Sequence, residues 1–285
     1  MLRRDDNLQE LARAAISQGA DVLGMAGGDG SQAMVAEFTM EHDVPFVCVP
    51  AGTRNQLALD LGIDRNDLIG SLDAFEHGRE RRIDLGRVND RVFVNNMSLG
   101  VYAAVVQSPE YRDDKLGTVA RMLPELLGAD YEPFDLEFEG PTGSSRDSAD
   151  LILVSNNVYD LDRIAGFGTR ARLDAGVLGI VAVEVRSSAD LAELVALQTT
   201  GGVSRARGWR QWTATSFEVR SSEPIAAGVD GEALVLASPL RVVVLASALR
   251  VRIAPRHSRR SPAAAHPRVG VNSLIALLNI AFRGR

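Results

Sequence analysis

Two short loops carry residue types that suit phosphate binding. Residues 27–31 read Gly-Gly-Asp-Gly-Ser, and residues 50–55 read Pro-Ala-Gly-Thr-Arg-Asn. Glycines allow positive φ and a close approach of the backbone, so that successive N–H groups can point at one anion. A helix capped by Ser31 would add the positive end of its dipole, and Asp29 could hold Mg²⁺ or help to remove a proton from a hydroxyl. A single turn of this kind is more often a plain strand-to-helix connection.

Each loop follows a short apolar segment that reads as a buried strand, at residues 21–26 and 44–49. Helical periodicity precedes the first segment over residues 1–20 and resumes after each loop. This alternation predicts a parallel sheet with helices on its faces. Neighbouring parallel strands present their carboxyl ends at one edge, where open α/β folds bind ligands. We therefore expect the two loops to lie side by side, and the pair favours a nucleotide site.

The pattern changes after residue 86. Strand-like runs punctuated by Gly, Pro, Asn and Ser dominate residues 87–254, which is typical of an antiparallel sandwich or barrel. The predicted fold class is an α/β nucleotide-binding domain (residues 1–86) followed by a mainly antiparallel β-sandwich substrate domain (residues 87–254). Residues 255–270 read as a linker. Further helices are predicted around residues 113–127, 189–198 and 273–282.

The composition is that of an ordinary globular protein. The chain has 285 residues, 46% hydrophobic and 24% charged, which is enough to bury a core and excludes disordered and collagen-like classes. Cys48 is the only cysteine, so no intrachain disulfide and no cysteine metal cluster can form, and a reducing cytoplasm is the expected location. No apolar stretch of about 18 residues occurs, so neither a spanning segment nor a secretory signal is predicted.

The charge distribution bears on the partners. A net charge of −6 argues against nucleic-acid binding. No acidic residue follows Glu232, whereas arginines continue to the end of the chain: Arg241, Arg250, Arg252, Arg256, Arg259, Arg260, Arg268, Arg283 and Arg285. This cationic end predicts peripheral contact with an anionic membrane surface. Lys115 is the only lysine, which excludes a mechanism that depends on a P-loop lysine.

The two loops and several later segments together resemble a known family. Residues 27–31 and 49–62, the latter reading VPAGTRNQLALDLG, are similar to the GGDGT and PxGTxNDxAxxLG motifs of the diacylglycerol kinase catalytic-domain family. That family includes bacterial lipid kinases and sphingosine and ceramide kinases. The resemblance continues, in the family's order, through further segments at residues 82–89, 93–100, 173–179 and 229–232. Because the order is kept, the resemblance is specific.

The resemblance implies an ATP-dependent lipid kinase that uses Mg²⁺ and transfers the γ-phosphoryl group to a hydroxyl of diacylglycerol or a similar lipid. The cleft would lie between a NAD kinase-like nucleotide-binding domain and the β-sandwich. The Asp-Gly-Glu motif at residues 230–232 would supply the proton acceptor, with Glu232 ranked slightly above Asp230. Asp29 is the third catalytic candidate and the candidate metal ligand. The candidate nucleotide-binding residues are Gly27, Gly28, Asp29, Gly30, Ser31, Gln32, Thr53 and Asn55.

The chain departs from the family pattern in three places. Family members begin with a strand and an Asn-Pro loop, whereas this chain starts to match inside the following helix, so we expect an N-terminal truncation that removes the first strand. Residues 271–285 are expected to return to the first domain and complete it, and the unpaired sheet edge predicts a homodimer. Ala175 stands where many members carry an aspartate that supports a structural Mg²⁺. Gln56 stands where the second loop motif has an aspartate.

Two other functions stay open at this stage. A NAD kinase-like phosphotransferase shares the GGDGT motif, although the PAGTRN loop and the Asp-Gly-Glu turn suit the lipid kinases better. A catalytically silent lipid- or nucleotide-binding remnant is the second alternative. ATP binding separates a kinase from a silent remnant, because only the kinase needs it.

Overall fold

The computed structural model of the protein describes residues 7–100, 134–143, 148–161, 168–185 and 202–265, with single positions at 187, 189, 190, 193 and 197. The helices predicted around residues 113–127 and 273–282 lie outside the described residues, as does most of the helix predicted at 189–198. The expected return of residues 271–285 to the first domain also falls outside them.

Helices and strands alternate in the first part of the chain, and strands dominate the rest. The helices are α1 (Leu8–Ser17), α2 (Asp29–Glu41), α3 (Gln56–Asp60), α4 (Leu68–Ser71), α5 (Ala74–His77) and α6 (Pro262–Ala265), with a 3-10 helix at Val203–Arg205. The strands are β1 (Leu23–Gly27), β2 (Phe46–Pro50), β3 (Arg79–Val88), β4 (Arg91–Phe93), β5 (Asn96–Gly100), β6 (Glu137–Phe138), β7 (Leu151–Asn156), β8 (Tyr159–Asp160), β9 (Thr169–Arg170), β10 (Leu178–Val183), β11 (Trp209–Ala214), β12 (Ser216–Arg220), β13 (Ile225–Val229), β14 (Glu232–Leu236) and β15 (Leu240–Ile253).

The first sheet joins the N-terminal strands to a strand from the far end of the chain. Its order is β1-β2-β15-β12-β6, and β3 pairs with both β15 and β4. Strands β1 and β2 are parallel, as predicted, with Leu23 opposite Phe46 and Gly27 opposite Pro50. Strand β15 runs parallel to β2 and antiparallel to β3 and β12. The apolar runs at residues 241–245 and 249–253 thus form one strand, interrupted by a bulge between Leu245 and Leu249.

The second sheet packs on the first and makes the predicted sandwich. Its order is β11-β10-β7-β5-β13-β14, and every pair in it is antiparallel. Apolar side chains of both sheets interdigitate in one core, in which Phe93 and Val242 of the first sheet meet Met97, Ile152 and Ile180 of the second. All five are fully buried, and burying a side chain of this size contributes about 1.5–3 kcal/mol. An α/β N-terminal part followed by an antiparallel sandwich is the predicted fold class.

A second core lies under the helices of the N-terminal part. Phe46 and Cys48 of β2 pack there with Leu57, Leu61 and, from β15, Leu249. Because the strands of a parallel sheet are covered on both faces, β2 is buried along its whole length. Long-range packing of this kind fixes the carboxyl edge of β1 and β2, from which the two glycine-containing loops emerge.

Helix α2 begins earlier than the sequence predicts. Its N-cap is Gly28, and the N–H of Gln32 already donates to the carbonyl oxygen of Gly28 at 3.0 Å. Ser31 therefore lies within the first turn, and the prediction that it caps the helix is wrong. The helix starts directly after the buried strand, because the carbonyl oxygen of Gly28 already accepts the first helical hydrogen bond.

A buried ion pair links the N-terminal part to the sandwich. The Arg170 guanidinium and the Asp60 carboxylate are both 0% exposed, and Arg170 Nε donates to Asp60 Oδ2 at 2.8 Å. Arg170 Nη1 also donates to the carbonyl oxygens of Val94 and Asn156, each at 2.8 Å, and Nη2 donates to Asn95 Oδ1 at 2.9 Å. Burial lowers the pKa of Arg170, but Asp60, Tyr159 and Asp230 together raise it by more, so the pKa lies above its ordinary value and the group stays charged.

Asp84 fixes the loop that contains Ala175. The buried Asp84 carboxylate accepts the N–H of Gly176 at 2.6 Å, the side-chain amide of Asn157 at 3.1 Å and the N–H of Ser247, in the bulge of β15, at 2.7 Å. The N–H of Ala175 donates to Asn157 Oδ1 at 2.9 Å. Hydrogen bonds to the Asp84 carboxylate thus hold this loop in place. It is the loop for which the family resemblance raised the question of a structural Mg²⁺.

We expect Arg170→Met to lower the free energy of unfolding by about 3–5 kcal/mol, because it leaves the Asp60 carboxylate buried without an opposite charge, although the backbone N–H of residue 170 and the Gln56 amide still donate to it. Urea unfolding followed by circular dichroism measures this change. The matched control is Arg172→Met, which breaks the exposed pair of Arg172 with Asp174 and should cost less than about 1 kcal/mol. Adding Asp60→Asn to Arg170→Met should recover part of the loss. Equal urea midpoints for Arg170→Met and Arg172→Met would contradict the assignment.

Candidate active site

The two loops lie against each other at the carboxyl edge of β1 and β2, as the sequence predicts. A Cβ on Gly52 would lie 2.3 Å from the Cα of Gly28, so the second loop tolerates no side chain at this point. Asn55 shapes that loop: its Oδ1 accepts the N–H of Gly52 at 2.8 Å, and its Nδ2 donates to the carbonyl oxygens of Gly52 at 2.7 Å and Pro50 at 3.2 Å. Asn55 itself is buried and has a left-handed backbone, with φ 49°.

Asp29 connects the first loop to the second. Its Oδ1 accepts the N–H of Leu57 at 3.0 Å and its Oδ2 accepts the N–H of Gln56 at 3.1 Å, so Asp29 caps helix α3 from the neighbouring loop. The side chain is 8% exposed. The carboxylate is therefore a fixed negative charge between the loops rather than a solvated group on a turn.

Gln32 is a further buried link. Its Nε2 donates to the carbonyl oxygens of Gly27 at 2.9 Å and Val49 at 3.2 Å, and its Oε1 accepts from Cys48 Sγ at 2.9 Å. The residue is fully buried, so its amide holds the ends of β1 and β2 together. Thr53, by contrast, is exposed at the tip of the second loop, and Ser31 is half-buried in the first turn of α2.

The start of α2 is open to an anion, although for a different reason than the sequence suggests. Gly28 has φ −83° and ψ 174°, an extended conformation that any residue can adopt, so positive φ is not required there. A Cβ on Gly28 would instead point at Gly52, at 3.7 Å from its Cα, and would occupy the space between the loops. No side chain caps the helix, so the N–H groups of its first turn are left for a ligand or water.

The Asp-Gly-Glu motif forms a tight turn between β13 and β14, as predicted. Val229 pairs with Glu232, and the two residues between them have positive φ, 47° at Asp230 and 86° at Gly231. Asp-Gly is the residue pair that a two-residue hairpin of this type favours. The tip of the turn is also close to Arg54, because a Cβ on Gly231 would lie 3.5 Å from Arg54 Nη1.

Asp230 points back into the protein. Its carboxylate accepts the backbone N–H groups of Val94 at 2.8 Å, Asn95 at 2.9 Å and Asn96 at 3.2 Å. Burial raises the pKa of Asp230 to about 7; the three N–H groups oppose this rise, and the charge of Asp29 adds to it. A carboxyl group with a pKa near neutrality can accept a proton and release it again under ordinary conditions.

Glu232 lies directly over the glycine loop. A Cβ on Gly30 would come within 2.6 Å of Glu232 Oε1, so the hairpin turn and the first loop are in contact. The other carboxylate oxygen, Oε2, accepts from Arg91 Nη2 at the start of β4. The Glu232 side chain is 45% exposed and so can face a ligand. Nothing in the sequence singled out Arg91, because only the pairing of distant strands brings it to Glu232.

A cavity of about 520 Å³ opens beside this turn. Gly30, Asp230 and Glu232 line one side of it, and Met34 and Leu236 supply apolar surface. The cavity combines apolar walls with a few convergent polar groups, as ligand sites commonly do. Across the part of the chain that the structure describes, no three His, Cys, Asp or Glu side chains are placed to hold a metal ion together.

Comparison with known proteins finds similar sequences and similar folds. The family pattern of the diacylglycerol kinase catalytic domain matches residues 2–88. Diacylglycerol kinases of Staphylococcus aureus strains JH9 and Newman are each 25% identical over 230 residues, which is 78% of this chain and 71% of theirs. In structure, the fold is similar to that of a diacylglycerol kinase from Bacillus anthracis str. Sterne, with a TM-score of 0.64, 17% identity, and coverage of 88% of this chain and 84% of that one.

The matched segment, residues 2–88, includes both glycine-containing loops of the candidate site. The match assigns residues 2–88 to the diacylglycerol kinase catalytic-domain family.

Proposed function

We propose that the protein is an ATP-dependent lipid kinase that transfers the γ-phosphoryl group to a hydroxyl of diacylglycerol or a similar lipid. The observation that carries the proposal is the contact between the phosphate-type loop at Gly30 and the acidic turn at Asp230 and Glu232. Phosphoryl transfer needs a cradle for the donor and a proton acceptor within reach of it, because positioning supplies most of the catalysis.

The first loop fits a nucleotide phosphate. The uncapped start of α2 offers backbone N–H groups, and the space at Gly28 that a Cβ would fill leaves room for a close approach. In the proposal the backbone from Gly27 to Ser31 cradles the phosphates, while Asp29, Gln32 and Asn55 hold the loops in place. Thr53 is the exposed side chain of the second loop and would contact the nucleotide directly. ATP would supply the transferred phosphoryl group.

Mg²⁺ takes most of its ligands from phosphate oxygens and water when it accompanies a nucleotide, so one protein carboxylate is a sufficient donor set. Both Asp29 oxygens already accept a backbone N–H, which restricts this candidate metal ligand to its remaining lone pairs. Glu232, with an oxygen beside Gly30, is the better placed carboxylate for the same role. The ion would neutralise phosphate charge there.

We assign the proton-accepting role to Asp230, which reverses the order that the sequence favours. Its raised pKa, near 7, matches the task of taking a proton from an alcohol at neutral pH, and three backbone N–H groups hold its carboxylate in one orientation. Glu232 is more exposed and pairs with Arg91, so its charge stays available for the phosphate side of the site.

Two observations support a lipid as the acceptor. The curated relatives are diacylglycerol kinases, and the cavity has apolar walls. In the described part of the chain, no helix is both long and apolar enough to cross a bilayer. Contact with an anionic membrane would then be peripheral. Several tail arginines are already paired: Arg241 with Glu218, Arg250 with Glu80, and Arg256 with Asp67. A cytoplasmic location and a homodimer stay predictions.

Nucleotide binding tests the first loop. Calorimetric titration with ATP and Mg²⁺ should show binding to the native protein, about tenfold weaker binding to Gly28→Ala and none to Gly28→Val, because each added carbon fills the space between the loops. The fold should tolerate the alanine, whose Cβ lies at an ordinary 3.7 Å from Gly52. Labelled-phosphate transfer to diacylglycerol, sphingosine and NAD then identifies the acceptor. Unchanged ATP affinity in a folded Gly28→Val would refute the assignment, and transfer to NAD alone would favour the NAD kinase-like alternative.

Gly30→Ala tests the contact with Glu232. The substitution should raise helix stability by up to about 1 kcal/mol, yet it should lower kcat at least about tenfold, because the methyl group must displace Glu232. If displacement is the cause, Glu232→Ala and the Gly30→Ala/Glu232→Ala double variant should have the same rate. Additive losses in the double variant would show that Gly30 acts independently of Glu232.

The pH dependence tests Asp230. Since the base must be deprotonated, kcat/KM should be constant above a pKa near 7 and fall about tenfold for each pH unit below it. Asp230→Asn should lower the activity about 100-fold or more. Its remaining kcat/KM should also no longer fall at low pH, so that the acid limb of the pH profile is lost. Glu232→Gln is the matched control, because it should lower the rate but keep the limb. An acid limb retained in a folded Asp230→Asn variant would move the proton acceptor elsewhere.

A further inference from the structure

A cluster of arginines lies away from the candidate active site, at the start of β3. Side chains alternate along a strand, so Arg79 and Arg81 share one face and Glu80 projects to the other. There Glu80 pairs with Arg250 at 2.8 Å. The alternation turns the Glu80 carboxylate toward Arg250 and leaves the two neighbouring arginines together on the other face.

A turn after β15 brings two more arginines to the same face. The turn is anchored at both ends: buried His257 accepts the N–H of Asp64 through Nδ1 at 3.3 Å, and buried Ser261 donates to the carbonyl oxygen of Arg170. Between these anchors, Arg259 has a left-handed backbone with φ 57°. Arg260 is fixed against Gly62, where a Cβ would lie 2.4 Å from the Arg260 nitrogen.

The four side chains surround a cavity of about 260 Å³, which Arg79, Glu80, Arg81, Ile253, Ser258, Arg259 and Arg260 line. Of the described acidic groups, none forms an ion pair with these four guanidinium groups. Burial lowers the pKa of Arg81; nearby Asp174, itself paired with Arg172, opposes this effect, and the like charge of Arg259 adds to it. The cavity thus concentrates positive charge that the described protein groups do not neutralise.

We propose that this arginine pocket binds a phosphate-type anion, either free or as the headgroup of an anionic lipid. Guanidinium groups offer paired donors that match phosphate oxygens, and several of them in one pocket supply both charge and orientation. The volume is below that of a typical pocket for drug-sized ligands and suits a small anion. The anchored turn holds two of the arginines in place before binding, which reduces the ordering cost.

Calorimetric titration of the full chain with inorganic phosphate at low ionic strength tests the pocket. We expect saturable binding that falls at least about tenfold in Arg81→Gln/Arg259→Gln, since each lost charge removes a favourable contact. The matched control is Arg220→Gln, an exposed arginine of β12 paired with Glu218, which should bind phosphate like the native protein. Gly28→Val should also keep the binding, because the pocket does not include the phosphate-type loop. Circular dichroism checks that each variant is folded.

Vesicle sedimentation separates the two sources of the anion. If the double variant loses phosphate binding and also binding to phosphatidylglycerol-containing vesicles, while neutral phosphatidylcholine vesicles bind neither protein, the pocket takes a lipid headgroup. If phosphate binding alone is lost, the pocket takes a free phosphate compound. The proposal would be overturned if the phosphate affinity were the same in the native protein and in two double variants, Arg81→Gln/Arg259→Gln and Arg79→Gln/Arg260→Gln. The proposal would also be overturned if Gly28→Val were the only variant to lose phosphate binding, because the anion would then bind at the loop of residues 27–31.

Discussion

A guanidinium group that no water reaches must find all of its acceptors inside the protein, and Arg170 meets this condition with groups from several distant segments. Asp60 comes from the N-terminal α/β part, whereas Val94, Asn95 and Asn156 come from the strands and turns of the sandwich. Leaving out one of them would leave a charge or a donor unsatisfied in a medium that penalises both strongly. The pair therefore permits essentially one arrangement of the two parts, and the cleft at their junction inherits that arrangement.

Polar side chains near the cleft serve mainly as supports. Asp29 caps the helix of the neighbouring loop, Gln32 ties two strand ends together, and Asn55 closes its own loop through the backbone. Because these side chains are used inside the protein, the backbone at the start of α2 is left to face a ligand. A site of this kind gains its precision from groups that do not touch the ligand themselves.

Local patterns allowed much of this structure to be predicted from the sequence. Apolar periodicity indicated β1, β2 and the one helix between them, α2, and the Asp-Gly-Glu motif indicated a turn at Asp230 and Gly231. What could not be predicted depends on contacts between distant residues. Asp60 and Arg170 are 110 residues apart, and no local feature of Arg170 distinguishes it from the many exposed arginines of the chain. The raised pKa of Asp230, on which its proposed role rests, could not be predicted for a related reason, because the burial that shifts a pKa is visible only in the folded protein.

The backbone of Val94 makes hydrogen bonds to both the junction of the two halves and the acidic turn. Its N–H donates to the Asp230 carboxylate at 2.8 Å, while its carbonyl oxygen accepts from Arg170 at the same distance. One backbone residue is thus a mechanical coupling between the junction of the halves and the acidic turn. Moving one half against the other would therefore disturb the hydrogen bonds that orient the Asp230 carboxylate. The orientation of this carboxylate is thus tied to how the two halves sit against each other.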